Sequence, residues 1–199
     1  MAVQQQSDDG LMDQLPIKLG AIVGAVAFVV GYVLTYVLLQ IDSEADLSEI
    51  EGDMGSATDV VAWIFYNAHF VDTKSSMSMG GESMSESENM LSEASLQFPD
   101  LLYHAVPIVV LIGAGYLLVT NLDQAVSSVE EGAKSGAAIA AGYLPLAVVA
   151  SFIFTASGEE MGFSFSVGPD TVTAIILAGL AFPIILGAIG GYVAATRAN

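Results

Sequence analysis

Four methionines, Met77, Met79, Met84 and Met90, fall inside a stretch reading KSSMSMGGESMSESENMLSEASLQ from Lys74 to Gln97. Thioethers are soft ligands, and so spaced they could hold Cu(I), with His69 or His104 as a further donor. Against this, the chain has no Cys, and the rest of the stretch is mainly Ser and Glu. Such a composition buries too little to order itself and reads as a low-complexity linker, with copper handling as a minor alternative. The pairs Glu130-Glu131 and Glu159-Glu160 put two carboxylates side by side, as a divalent cation would need. Both pairs fall between apolar runs and read as solvated loop charge. His104 lies three residues inside an apolar run, near its end, where an interfacial histidine is a simpler assignment than a proton relay. No Gly-x-Ser-x-Gly, His-Glu-x-x-His or phosphate-binding loop occurs, and no Asp pair lies in an apolar run. No catalytic residue, cofactor-binding residue or metal ligand is therefore assigned, no cofactor is expected, and the chain is not expected to be an enzyme.

The elements that would position such residues are dominated by apolar runs. Over 199 residues, 54% are hydrophobic, and the mean hydropathy of +0.65 coexists with a net charge of −18. Uncharged stretches run from Leu19 to Ile41, Leu101 to Leu122, Ser135 to Ser157 and Thr171 to Thr196. Each meets the roughly 20 residues that a helix needs to cross about 30 Å of hydrocarbon. None carries a charge at its centre, where insertion would cost roughly 2.5 to 3.5 kcal/mol. A soluble helix would show a polar stripe, whereas Gly20 to Leu39 is apolar or small all round. The first run is longer than a signal peptide core, its leader is acidic, and no small-x-small site precedes Asp42, so it reads as a retained span.

The expected fold is an all-α integral membrane protein with four transmembrane helices. Its parts are an acidic cytoplasmic tail (1–15), spans at 16–41, 100–122, 135–157 and 170–196, outer loops at 42–99 and 158–169, a cytoplasmic loop at 123–134, and a cytoplasmic end at 197–199. Only four basic residues occur, against 22 acidic ones. Lys18, Lys134 and Arg197 flank spans and become cytoplasmic together if both termini are inside. Lys74 alone falls in the long outer segment, and long segments are translocated largely regardless of charge.

That outer segment, Asp42 to Asp100, holds 13 acidic residues and one Lys. Within it, residues 58–71 read TDVVAWIFYNAHFV, too short to span, with Trp63, Tyr66, Asn67 and His69 as amphipathic exceptions. The piece is expected to be an interfacial or re-entrant helix capping the outer mouth of the bundle, since Trp and Tyr favour the headgroup level. Ser56 or Thr58 would cap its start, with Asp59 in the first turn.

Two spans share a pattern. AVPIVVLIGAGYLLVT from Ala105 aligns without a gap on AFPIILGAIGGYVAAT from Ala181, with six of sixteen positions identical, among them Pro107 with Pro183, Gly115 with Gly191 and Tyr116 with Tyr192. Spans one and three open alike, as KLGA from Lys18 and KSGA from Lys134. These likenesses suggest a tandem repeat of a two-helix hairpin, with its units parallel. Pro107 and Pro183 would kink their helices at one depth. Gly20, Gly24, Gly187 and Gly191 lie on small-residue ridges that allow close helix approach, within the bundle or between subunits.

Abundant Asp and Glu, scarce basic residues and no Cys suit an exposed surface bathed in molar salt, which screens self-repulsion. The chain resembles small multi-pass membrane proteins of halophilic archaea, and WIFYNAHFVDT, from Trp63 to Thr73, looks like a motif of an uncharacterised haloarchaeal membrane family. That resemblance implies a class and a habitat, with no activity or site to carry over. The leading expectation is a non-enzymatic multi-pass protein of the plasma membrane, structural or accessory. The alternative is a small oligomeric transporter or channel. Partners would be the lipid bilayer and a second copy or another membrane protein, with no nucleic acid.

Overall fold

A computed structural model describes residues 16–45, 55–93, 96–122, 126–160 and 162–198. The expected tail (1–15) lies outside the described residues, as do parts of the outer segment and of the loop at 123–134. Four helical stretches are long and apolar enough to cross a membrane: Ile17–Ile41, Asp100–Thr120, Val129–Ile153 and Thr171–Arg197. The elements in chain order are α1 (Ile17–Ile41), α2 (Ala57–Asn67), β1 (Thr73–Met79), β2 (Glu82–Glu88) and α3 (Met90–Glu93). Then follow α4 (Asp100–Thr120), α5 (Val129–Ala137), α6 (Ala140–Ile153), β3 (Ala156–Glu160) and β4 (Phe163–Pro169), and the last span. That span opens with one turn, α7 (Thr171–Thr173), continues as a π-helix over Ala174–Ala181 and ends as α8 (Phe182–Ala198).

Glycine decides where the long helices meet. On α1 the buried residues Gly20, Gly24, Ala27, Phe28, Gly31, Thr35 and Leu39 recur every three or four positions, one face of a helix. A Cβ on Gly20 or Gly24 would collide with the backbone of Ala138 or Ile139, and one on Gly142 with the backbone of Ala21. Gly115 and Gly136 approach the backbone of Gly187 in the same way, and Gly191 that of Gly132. Hence α8 lies between α4 and α5, while α1 rests against α6. The opposite faces leave Ile22, Val26, Val109, Phe152 and Ile185 more than half exposed.

Both repeated prolines are buried, with different consequences for the backbone. Pro107 sits inside a continuous α-helix. Pro183 follows the π-helical stretch, whose wider turns shift the hydrogen-bond ladder by one residue just ahead of the ring. Third-span limits also differ from expectation. Helix begins at Val129 because Ser128 caps it, accepting from the Glu131 backbone N–H at 3.2 Å, and Lys134 pairs with Glu130 at 2.8 Å. Glu130 and Glu131 are thus first-turn residues, favoured by the helix dipole, rather than loop charge. The helix stops at Ile153, short of the expected residue 157.

The all-α expectation is corrected by a four-stranded antiparallel sheet of order β2-β1-β4-β3. The expected linker at 74–97 is in large part the hairpin β1–β2, and the outer loop at 158–169 is in large part β3 and β4. Side chains alternate across a strand, so Met77, Met79, Met84, Phe163, Phe165 and Val167 take one face, and Ser76, Ser78, Ser83, Ser85, Ser164 and Ser166 the other. Gly80 and Gly81, both at positive φ, make the two-residue turn that suits the twist of paired strands. A stretch that buries little by itself becomes ordered because β1 also pairs with β4, whose Val167 packs beside Val60 and Trp63.

Candidate functional site

The residues singled out on α2 converge at the end of the bundle where α1 stops and α4 starts, and they close a hydrogen-bond account. Ser56 caps the helix, its hydroxyl accepting from the Asp59 N–H at 3.3 Å while the Asp59 carboxylate accepts from the Ser56 N–H at 2.8 Å. The helix then runs with every residue from Val60 to Asn67 at most 3% exposed. A buried helix end leaves carbonyls that need donors. Phe65 O takes the His69 ring Nδ1–H at 2.7 Å, and Tyr66 O takes the Val71 N–H at 3.1 Å. Asn67 O takes the Phe70 N–H at 2.9 Å and the Asn89 side-chain amide at 3.3 Å, and Ala68 O takes the His104 ring at 2.9 Å. This termination puts Phe70 at φ 59, a left-handed position usually given to glycine, with its ring stacked on His104 at 4.4 Å.

The remaining polar groups reach the spans and the segments that follow α2. Trp63 donates its indole N–H at 2.8 Å to Phe154 O, a carbonyl freed by the end of α6. Tyr66 donates to Ala147 O. Asn67 donates to Val71 O at 2.7 Å and to the Thr73 hydroxyl at 3.2 Å, and accepts from the Met90 N–H at 2.8 Å. Because the Phe65 carbonyl can only accept, His69 carries its proton on Nδ1, and Nε2 accepts from the Tyr143 hydroxyl at 2.7 Å. Burial pushes the His69 pKa down to about 4, against the Phe65 hydrogen bond and with a smaller push from His104, so the ring is neutral near pH 7. Its edges meet Phe65 and Phe182, the first residue after the π-helical stretch.

A second cluster was not anticipated. Asp42, buried just past the end of α1, accepts from the backbone N–H groups of Glu44, Gln97 and Phe98 at 3.0 to 3.2 Å and from the Tyr103 hydroxyl at 3.0 Å. Burial raises its pKa, but the four hydrogen bonds outweigh this and leave the carboxyl below its ordinary range. The clamp ties the end of α1 to the start of α4. No local signal marked Asp42 or Tyr143, since their partners lie 61 and 74 residues away.

The other candidates are spread out. Gly20, Gly24, Gly115, Gly187 and Gly191 are helix contacts, Tyr116 lies under the Arg197 guanidinium at 5.7 Å, and Tyr192 is exposed. Met90 packs beside Val60 and Trp63, apart from Met77, Met79 and Met84 on the sheet. Among the described residues no three His, Cys, Asp or Glu side chains gather as a metal site. Cavities against the sheet include one of about 490 Å³ lined mainly by serines and Glu159 and one of about 800 Å³ lined by Met77, Met84, Phe163 and Phe165.

Chemically, the α2 cluster can hold helix ends together, and His69 within it has both ring nitrogens engaged. No curated protein and no solved structure matches the chain. The family comparison covers the spans, α2 and the sheet alike, matching residues 1–198, and the chain belongs to the DUF7978 family, a family of unknown function.

Proposed function

We propose that this is a non-enzymatic multi-pass protein of a plasma membrane, structural or accessory in role, with both termini cytoplasmic. The observation that carries the reading is the fate of the one segment rich in reactive side chains: Trp63, Tyr66, Asn67 and His69 spend their polar groups on carbonyls, amides and hydroxyls of the chain itself. An active site keeps a group free for substrate, and this cluster keeps none of these four. The apolar outer faces of the four helices support a lipid environment, and lipid is the first partner proposed. No nucleic-acid partner is proposed, because the chain carries net charge −18. The same surplus of acid supports a halophilic, archaeal habitat.

The tandem-repeat reading belongs to this proposal. Glycine contacts join span one to span three and span two to span four, a pattern that a two-fold relation between hairpins would give, although those of span three with span four have no counterpart between spans one and two among the described residues. Each unit then carries its own β-hairpin between its spans, although the central pairing of β1 with β4 does not follow a two-fold. The serine face of the sheet is the surface proposed for a second copy or another membrane protein. Transport by the monomer is the weaker reading, because the buried side chains in the turns after Pro107, Leu111 and Ala114, are apolar, as is Ile139 facing Gly187 after Pro183.

Because the chain has no Cys, single cysteines can test orientation directly. Ser164→Cys should react with an impermeant maleimide on intact cells, and Ser127→Cys only after permeabilisation; the reverse pattern would overturn the orientation. Purified chain in proteoliposomes should give ion and solute flux at the level of empty vesicles. A saturable flux altered by Pro183→Ala would overturn the accessory reading.

A further inference from the structure

We propose that the Met/Phe face of the sheet is a binding site for a soft monovalent metal cation, Cu(I), held by the thioethers of Met77, Met84 and Met79. The strand register brings them together: Met77 lies directly opposite Met84, and Met79 is two residues from Met77 on the same face. Directly opposed residues place their Cβ atoms about 5 Å apart, and diagonal neighbours about 7 to 8 Å, spans that two or three long, unbranched side chains can close around one ion. Met77 and Met84 line one wall of the cavity of about 800 Å³, with Glu86 at its margin. All three methionines stay open to solvent, at 52%, 69% and 77% exposure, and are free to turn onto a ligand.

Two further observations select a cation over an apolar partner. Glu82 stands opposite Met79, and Glu86 opposite Ser75, so carboxylates share the face with the thioethers. Burying that face under a protein or a lipid tail would strand those charges, whereas a cation gains from them. Lys74, the nearest basic residue in sequence, alternates onto the serine face. A hard divalent cation would need gathered oxygen ligands, and among the described residues no three carboxylates or histidines converge, which leaves sulfur as the donor set. Phe165, opposite Met77 on β4, adds an aromatic edge or face that a cation tolerates. Strand positions ordinarily favour β-branched and aromatic residues, so three methionines at these sites are not explained by strand propensity.

The experiment is a Cu(I) titration of the full purified chain, kept reduced with ascorbate and competed against bicinchoninate. It is run in sulfate salt, since chloride itself ligates Cu(I). Wild type should take up one equivalent. Met77→Leu with Met84→Leu, volume-conserving changes on an exposed face, should keep the thermal melt while weakening uptake by about tenfold or more. Met90→Leu, remote from the face, should bind as wild type does. X-ray absorption at the copper edge on the wild-type complex should show a sulfur shell, a readout that depends on no variant. The proposal is overturned by an absence of stoichiometric uptake, by a double variant that binds as tightly as wild type, by equal weakening from Met90→Leu, or by a shell of nitrogen and oxygen alone.

Discussion

Between α1 and α4 the chain makes, among other elements, a helix and a hairpin of opposite character. The helix α2 is apolar, buried and bonded at nearly every polar group to its own ends or the spans. The hairpin β1–β2 is polar, largely exposed, and bonded mainly through its backbone. In α2 the side chains carry specificity, because each donor answers one carbonyl that would otherwise be buried and unpaired. In the hairpin the ladder carries the order, and side chains are left free to define two unlike faces. A residue with the same chemistry therefore means different things in the two places: His69 is consumed by structure, whereas Met84 is available.

This contrast can be broken by substitution. The largest effect should come from Trp63→Ala, which removes a fully buried indole and its hydrogen bond to Phe154 O; about 3 to 5 kcal/mol of stability should be lost, read as a lower melting temperature in detergent. Asn67→Ala should follow at about 2 to 3 kcal/mol, because it leaves the Met90 N–H and the Val71 carbonyl without their partner.

Acid should separate the clusters by pH. His69 has a folded pKa of about 4 against 6.5 for the free side chain, so its contribution is fully present above pH 6.5 and is lost as pH falls toward 4. A melting temperature that stays flat across that window would remove the neutral, buried histidine. Asp42, whose folded pKa is depressed from 3.8, acts lower: its stabilisation is present above that value and disappears as pH drops below it. Asp42→Asn should flatten this second decline and leave the first.

The smallest effect belongs to the hairpin. Met79→Ser, at 69% exposure, should change stability by no more than about 0.5 kcal/mol. A loss comparable to that of Asn67→Ala would mean that the Met face is packed against something, and the contrast between the two pieces would fail.

Part of this was readable from residue order. The four long apolar helices follow from run length, and the cap of α2 from Ser56 and Asp59 three positions apart. The sheet was readable too, in the period-two alternation Met77-Ser78-Met79, Ser83-Met84-Ser85 and Phe163-Ser164-Phe165-Ser166-Val167, but Ser, Met and Glu composition conceals it. Composition describes how much a segment can bury alone. It is silent on a partner strand 84 residues or more away, such as β4 is to β1.

The sequence by itself determined the number of long apolar helices, the glycine ridges on their faces and the excess of acid, because each is a local sum of hydropathy, size or charge. Tertiary structure alone decided that α2 is buried, that His69 meets Tyr143, that Asp42 clamps α4, and that three methionines share one sheet face with the glutamates of β2. Hydrogen bonds and strand register join residues far apart in the chain, and only the folded geometry says which carbonyl or strand each will find.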